Sequence, residues 1–209
     1  MHKNFLLPLL AAVLASHVSC LDSSSPSEKA RKDKAEKKPI EPVSGQNAYY
    51  KMYGAAKGWA PDIQAFKCEP IRMNALAEKE GRFPAWKCIF VSESKRAMKT
   101  YSYSVIEGEG IYKDVFGGHD ESYTGPIGQN VPFPILALKI DTEAAIATAK
   151  GKSAEFMKKN PSITTITPVL EKTKEIGNAA WRIYWGNPAT SGYSVLVDAS
   201  TGEYVKTMR

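Results

Sequence analysis

The chain has 209 residues, of which 43% are hydrophobic and 24% charged, and its formal net charge is +6. That is enough apolar material for a real core in one ordinary domain or two small ones. The positive excess is mild and names no partner by itself.

In chain order, Lys3 and the amino terminus form a weakly positive start, Phe5 to Ala15 is an apolar stretch of signal-peptide length, and Ser16 to Ser19 is a small-residue exit. The stretch is too short for a stable membrane-spanning helix, and no later segment is long and apolar enough. Residues 1–20 therefore read as a secretion signal. Val18-Ser19-Cys20 closes it and resembles the lipobox of bacterial lipoproteins, which implies diacylation of Cys20. His17 stands where that motif usually has Leu, and cleavage after Ala15 by the ordinary signal peptidase is the alternative. Both routes take the chain out of the cytoplasm. The expected address is the bacterial cell envelope, lipid-anchored and facing the periplasm, with a soluble periplasmic or secreted protein as the alternative.

Residues 21–43 are Ser, Pro, Lys, Glu and Ala with almost no large apolar side chain, so they cannot bury surface to offset chain entropy. Lys29, Arg31, Lys32, Lys34, Lys37 and Lys38 face Asp22, Glu28, Asp33, Glu36 and Glu41 in nearly balanced number. This mixed-charge segment reads as a solvated tether and not as a nucleic-acid arm.

The folded part is expected in two pieces, residues 44–125 and 126–209. In the first, Asn47 to Lys57 is helix-compatible, Pro61 ends it, and Ile63 to Phe66 is a short strand candidate. Ala85 to Val91 and Lys99 to Ile106 read as a hairpin, Ile111 to Phe116 as a further strand, and Gly117 to Gly128 as a glycine-rich loop between the pieces. In the second, Asp141 caps a helix expected to run to about Lys159, where Asn160-Pro161 stops it. Ile163 to Ile166 is β-branched and reads as a strand.

Two stretches then match. Ala85-Trp86-Lys87-Cys88-Ile89-Phe90 and Ala180-Trp181-Arg182-Ile183-Tyr184-Trp185 each lead into a Tyr-Ser strand and a Gly-containing turn. This reads as an internal duplication, and the expected fold is α+β: two tandem units, each a helix followed by an antiparallel sheet. The Trp-containing strands, together with Val197-Asp198-Ala199-Ser200-Thr201-Gly202-Glu203, resemble the PepSY and PepSY-like domains of bacterial envelope proteins. The agreement is best from Ala180 to Val205, while the first copy carries Glu107-Gly108-Glu109-Gly110 in place of the Asp-Ala-x-Thr-Gly turn. The resemblance implies a non-enzymatic role in peptidase regulation or ligand binding. Tandem copies are also similar in architecture to the secreted β-lactamase inhibitors, whose two units form one concave sheet that grips a partner, although fold does not carry function.

Strand alternation puts Trp181, Ile183 and Trp185 on one face and Arg182 and Tyr184 on the other; Trp86, Cys88 and Phe90 match the first set. The Trp face is core. The reverse face carries Ile89, Val91, Tyr184 and Leu196, too apolar for a surface that meets only water. Packing of the two sheets over each other is the favoured expectation, and receipt of a partner is the alternative. Lipidation of Cys20 leaves Cys68 and Cys88 as an even pair in an oxidising compartment, so a disulfide and two buried thiols both remain open.

Catalytic and cofactor signals are not found. His119 in Gly117-Gly118-His119-Asp120-Glu121 reads as part of a mobile loop, because consecutive ligands rarely close a coordination sphere. Asp198, Ser200, Thr201 and Glu203 fit a turn with a left-handed Gly better than a cation loop. Glu107 and Glu109 lie on a turn as ordinary acids, and there is no nucleophile elbow, phosphate loop or zinc motif. The expected function is a non-catalytic envelope binding module without cofactor or metal. It would modulate or inhibit a peptidase, or bind a protein or peptide partner, with the membrane reached through lipid on Cys20. A structural or scaffolding lipoprotein is the alternative, and a hydrolase would need a pocket joining His119 to a Ser or Thr.

Overall fold

In the computed structural model, which describes residues 39–209, Ala48, Tyr49, Met52 and Ala56 form the buried stripe of helix α1, Gly45–Ala56. Their three- and four-residue spacing gives a helix one apolar face. Four strands follow: β1 (Gln64–Ile71), β2 (Ala85–Ser92), β3 (Ala97–Ser104) and β4 (Asp114–Ser122). A short 3-10 turn at Ile135–Ala137 leads to α2 (Thr142–Lys152) and α3 (Ala154–Lys159), and then β5 (Ile166–Glu171), β6 (Ala180–Trp185), β7 (Ser194–Asp198) and β8 (Tyr204–Met208). The signal-like segment, Cys20 and the expected tether as far as residue 38 lie outside the described residues.

The fold is α+β, built on one eight-stranded antiparallel sheet in the order β4-β3-β2-β1-β5-β6-β7-β8. The middle seam is β1 against β5, where Lys67 pairs with Glu171 and Cys68 with Leu170. Expected face-to-face packing of two sheets is therefore overturned: the strands join edge to edge. The seam pairs the backbone groups that two separate sheets would leave open at their edges.

Helices α1 and α2 lie on one face, and Phe156 and Met157 of α3 pack against the same core. Trp86, Cys88, Phe90 and Tyr101 pack under α1, and Trp181, Ile183, Val195 and Val197 under α2, in a single core cluster. Cys68 and Cys88, directly opposed across β1 and β2, are joined by a disulfide within this core.

Several boundaries differ from the sequence expectation, each for a local reason. Val43, expected in the tether, exchanges two backbone hydrogen bonds of 2.9 Å with Phe83. The stretch expected as one helix to Lys159 breaks at Ser153, whose hydroxyl donates to Ala149 O and accepts from Tyr193 Oη. A serine that bonds the preceding turn competes with the helix ladder. The strand expected at Ile163–Ile166 begins only at Ile166, opposite Trp185.

Gly117 and Gly118, expected in a loop, sit inside β4. A Cβ on Gly117 would stand 3.0 Å from the Tyr101 ring, so a glycine lets this edge strand close against β3. His119, Asp120 and Glu121 are thus strand residues and not loop residues.

Candidate functional site

With α1 and α2 on one face, the reverse face of the sheet is the surface on which an outside molecule would meet strands. Its two ends are covered by the chain's own side chains. At one end an extra residue in β1, between the pairs Ala65–Phe90 and Lys67–Ile89, turns Phe66 onto this face. Phe66 and Tyr123, edge to face at 6.1 Å, bury Val91, with Ile89 and Met98 packed at the side. At the other end Leu196 is buried among Ile176, Ala180 and Met208.

The four residues expected to form a partner-facing surface are therefore placed unequally. Val91 and Leu196 are fully buried beneath these caps. Ile89 is half-buried and lines a small cavity with Lys67, Glu69, Lys87 and Thr100. Tyr184 is also buried, at 8% exposure, and borders a larger groove of about 720 Å³ with Lys67, Arg72, Thr167 and Asn187.

Between the caps runs a band of charge that follows from strand alternation, since these residues fill the places between core side chains. Lys67 Nζ and Lys87 Nζ stand 2.7 and 2.9 Å from the two oxygens of Glu69. Across the seam, Arg182 Nη1 lies 3.4 Å from Glu171 Oε1, its Nε donates to Ser194 Oγ at 3.0 Å, and its guanidinium sits over the Tyr184 ring. Arg72 reaches over from the β1–β2 connection and donates to Thr167 Oγ1 and Ile166 O.

The electrostatics suit a fixed pattern of charge. Burial works to raise the Glu69 carboxyl, but hydrogen bonds and charge from Lys67 and Lys87 outweigh it and hold the group below its ordinary value. Burial first, and the Glu171 charge second, push the Tyr184 phenol up to about 12 against the opposing pull of Arg182. Tyr184 is thus a neutral hydrogen-bonding group at ordinary pH. The partly exposed pairs of Glu69 with Lys67 and Lys87 add under about 1 kcal/mol each to stability.

The remaining candidates are dispersed. His119 is exposed on edge strand β4 and lines none of the cavities described here. Its neighbour Asp120 accepts from Trp59 Nε1 and pairs with Lys99. Asp198 Oδ1 accepts from the backbone N–H groups of Ser200 and Thr201, and Gly202 follows with φ of +77°. That is the geometry of a turn closed by its own aspartate. Among the described residues no group of three or more His, Cys, Asp or Glu side chains gathers to hold a metal ion, and no helix is long and apolar enough to cross a membrane.

Sequence reasoning missed Lys67, Glu69, Lys87 and Glu171 as a unit. The signal available was the alternation of Lys67 and Glu69 with the core residue Cys68, and of Lys87 with the core residues Trp86 and Cys88. The β1–β5 seam that brings Glu171 beside them leaves no local mark.

No protein-family model matches the chain, and no curated protein sequence does. Structural comparison aligns it with the crystal structure of a candidate lipoprotein of Clostridium difficile 630, at 11% sequence identity and a TM-score of 0.46 over 81% of this chain and 95% of that one.

Proposed function

We propose that the chain is a non-catalytic binding module of the bacterial envelope, anchored by lipid on Cys20 and built from two tandem PepSY-like units. It receives a protein or peptide partner on the helix-free face of its sheet, and through that contact modulates or inhibits an envelope peptidase. One observation carries the reading: α1 and α2 lie on the same side of a continuous eight-stranded sheet, with Phe156 and Met157 of α3 packed against the same core, so among the described residues the centre of the other face has no helix over it. Sheets in globular proteins cover a face this wide with a second layer unless it is polar or has a partner. Here the centre mixes Ile89 and Tyr184 with paired charges, the composition of an interface more than of a core.

The tandem reading is supported by matching detail on either side of the seam. Trp86 Nε1 donates to Val43 O and Trp181 Nε1 to Ile140 O, in each case the residue before the N-cap of the helix above. Lipid on Cys20 rests on the sequence motif.

A scaffolding lipoprotein is the second reading, favoured by the burial of Val91 and Leu196 under the chain's own side chains. The two differ in what happens when the face is altered. Charge introduced by Ile89→Lys with Thr100→Lys abolishes both partner capture and the change in envelope peptidase activity produced by the purified mature chain, if the binding reading holds. An unaltered chain that shifts no peptidase activity and captures no partner removes it. Mass spectrometry of the mature amino terminus tests the anchor: an unmodified start at Ser16 would end the lipoprotein claim.

A further inference from the structure

A second concavity lies away from the open centre of the sheet, where α3 and the β6–β7 connection meet. It encloses about 670 Å³, within the usual range for small-molecule sites. Its apolar lining is Phe156, Ile163, Trp185 and Tyr193. Phe156 stacks on Tyr193 with centroids 3.7 Å apart, and Trp185 meets both rings edge to face. The stacked pair is fixed from below, since Tyr193 Oη donates to Ser153 Oγ at the break between α2 and α3. The aromatic wall is thus preformed.

Charge around this wall is one-sided. Lys152, Lys159 and Arg209 line the mouth, all exposed, against one acidic side chain, Glu155. Among the described residues none of these three cations is in an ion pair, although the Lys152 ammonium also stands 5.3 Å from the Tyr204 ring. Trp185 Nε1 is buried here without a hydrogen-bond partner among the described residues, and buried donors are seldom left so. The far side of the molecule handles similar groups differently. Trp59, which follows α1, has its N–H accepted by Asp120, and Asp120 pairs in turn with Lys99. There the cation and the indole are both satisfied; at the cleft neither is.

We propose that this cleft binds a small amphipathic organic anion, with its ring or chain against Phe156, Trp185 and Tyr193 and its charged group at the mouth among Lys152, Lys159 and Arg209. Apolar lining supplies the affinity, and the unpaired cations select charge. The cleft borders the groove beside Tyr184, sharing Gly186 and Asn187 with it, but its aromatic wall and its cations are its own, and its existence does not depend on a partner on the sheet face.

The test uses the full mature chain and two fluorescent probes of one ring system, anilinonaphthalene sulfonate and uncharged phenylnaphthylamine. The sulfonate is expected to bind at least about tenfold more tightly than the neutral probe, a difference set by charge alone. Triple neutralisation, Lys152→Gln with Lys159→Gln and Arg209→Gln, lowers sulfonate affinity by about tenfold and leaves the neutral probe unchanged. All three side chains are exposed, and an unchanged urea midpoint verifies that the fold survives. The control Lys67→Gln with Lys87→Gln, on the sheet face, leaves both probes unaffected. Equal affinity for the two probes, no binding of either, or loss of sulfonate binding in the sheet-face control would overturn the proposal.

Discussion

Trp86 and Trp181 meet edge to face across the seam of the sheet, with ring centroids 6.2 Å apart and planes at 66°. Each indole N–H is bound to a carbonyl just ahead of the helix that covers it. The two rings thereby fix where both helices begin, and Gly45 at the start of α1 fits between them. A Cβ there would come within 2.7 Å of Thr142 Cγ2, 2.8 Å of Trp181 and 2.9 Å of Trp86.

Gly45→Ala is accordingly expected to destabilise the fold by about 1–3 kcal/mol, the ordinary cost of overpacking a filled core. Helix propensity alone would favour alanine over glycine, so the sign of the change separates the two effects. Urea denaturation of the variant measures it.

Asp141 serves two helices. Its Oδ1 accepts from Thr142 N at 2.7 Å and from Gln46 N at 2.9 Å, while Ser44, the N-cap of α1, makes no side-chain bond to its own helix. Asp141→Ala should cost about 1–2 kcal/mol or somewhat more, because a single N-cap is worth about that much. Asp141→Asn, which keeps an acceptor oxygen, should recover most of the loss in the same melt.

The Cys68–Cys88 disulfide closes a loop of 20 residues in sequence separation. Removing it by the paired substitution Cys68→Ala and Cys88→Ala should lower stability by about 3 kcal/mol, chiefly by freeing the unfolded chain. Equal urea midpoints for the oxidised protein and this variant would show that the crosslink adds nothing.

Acid sensitivity has a defined window. Asp62 accepts from Ser92 Oγ and from Ser94 N, and these bonds lower its carboxyl from 3.8 to about 2. The folded form holds its proton less tightly than the unfolded form, so the contribution is complete above the ordinary value and is lost as pH falls through about 2. Glu69 shifts in the same direction. Stability should fall between about pH 4 and pH 2, and Asp62→Asn should flatten part of that fall in pH-dependent unfolding.

Much of the fold was legible because it is local. The Trp86, Cys88, Phe90 and Trp181, Ile183, Trp185 alternations identified the face that α1 and α2 cover, and Asp141 announced the start of α2. What was not legible depends on long-range pairing. No property of Lys67 or Glu171 alone says that they stand opposite each other, yet this contact makes one sheet of eight strands, whose reverse face carries no helix among the described residues. Val91 and Leu196 looked available because alternation reports the face a residue takes; the coverings from Tyr123 and Ile176 come from outside the strands. Phe156 and Tyr193 are 37 residues apart in number, and their stack follows from the helix break at Ser153, which periodicity did not reveal.

The central claim, that the open centre of the sheet receives a partner, is tested most directly by photo-crosslinking from chosen positions of the full chain in intact envelopes. A photoreactive residue at Ile89 or Thr100 should yield one discrete protein or peptide adduct, and the same group at exposed Ala55 on the outer side of α1 should not. Adducts from Ala55 with none from Ile89 and Thr100 would contradict the account.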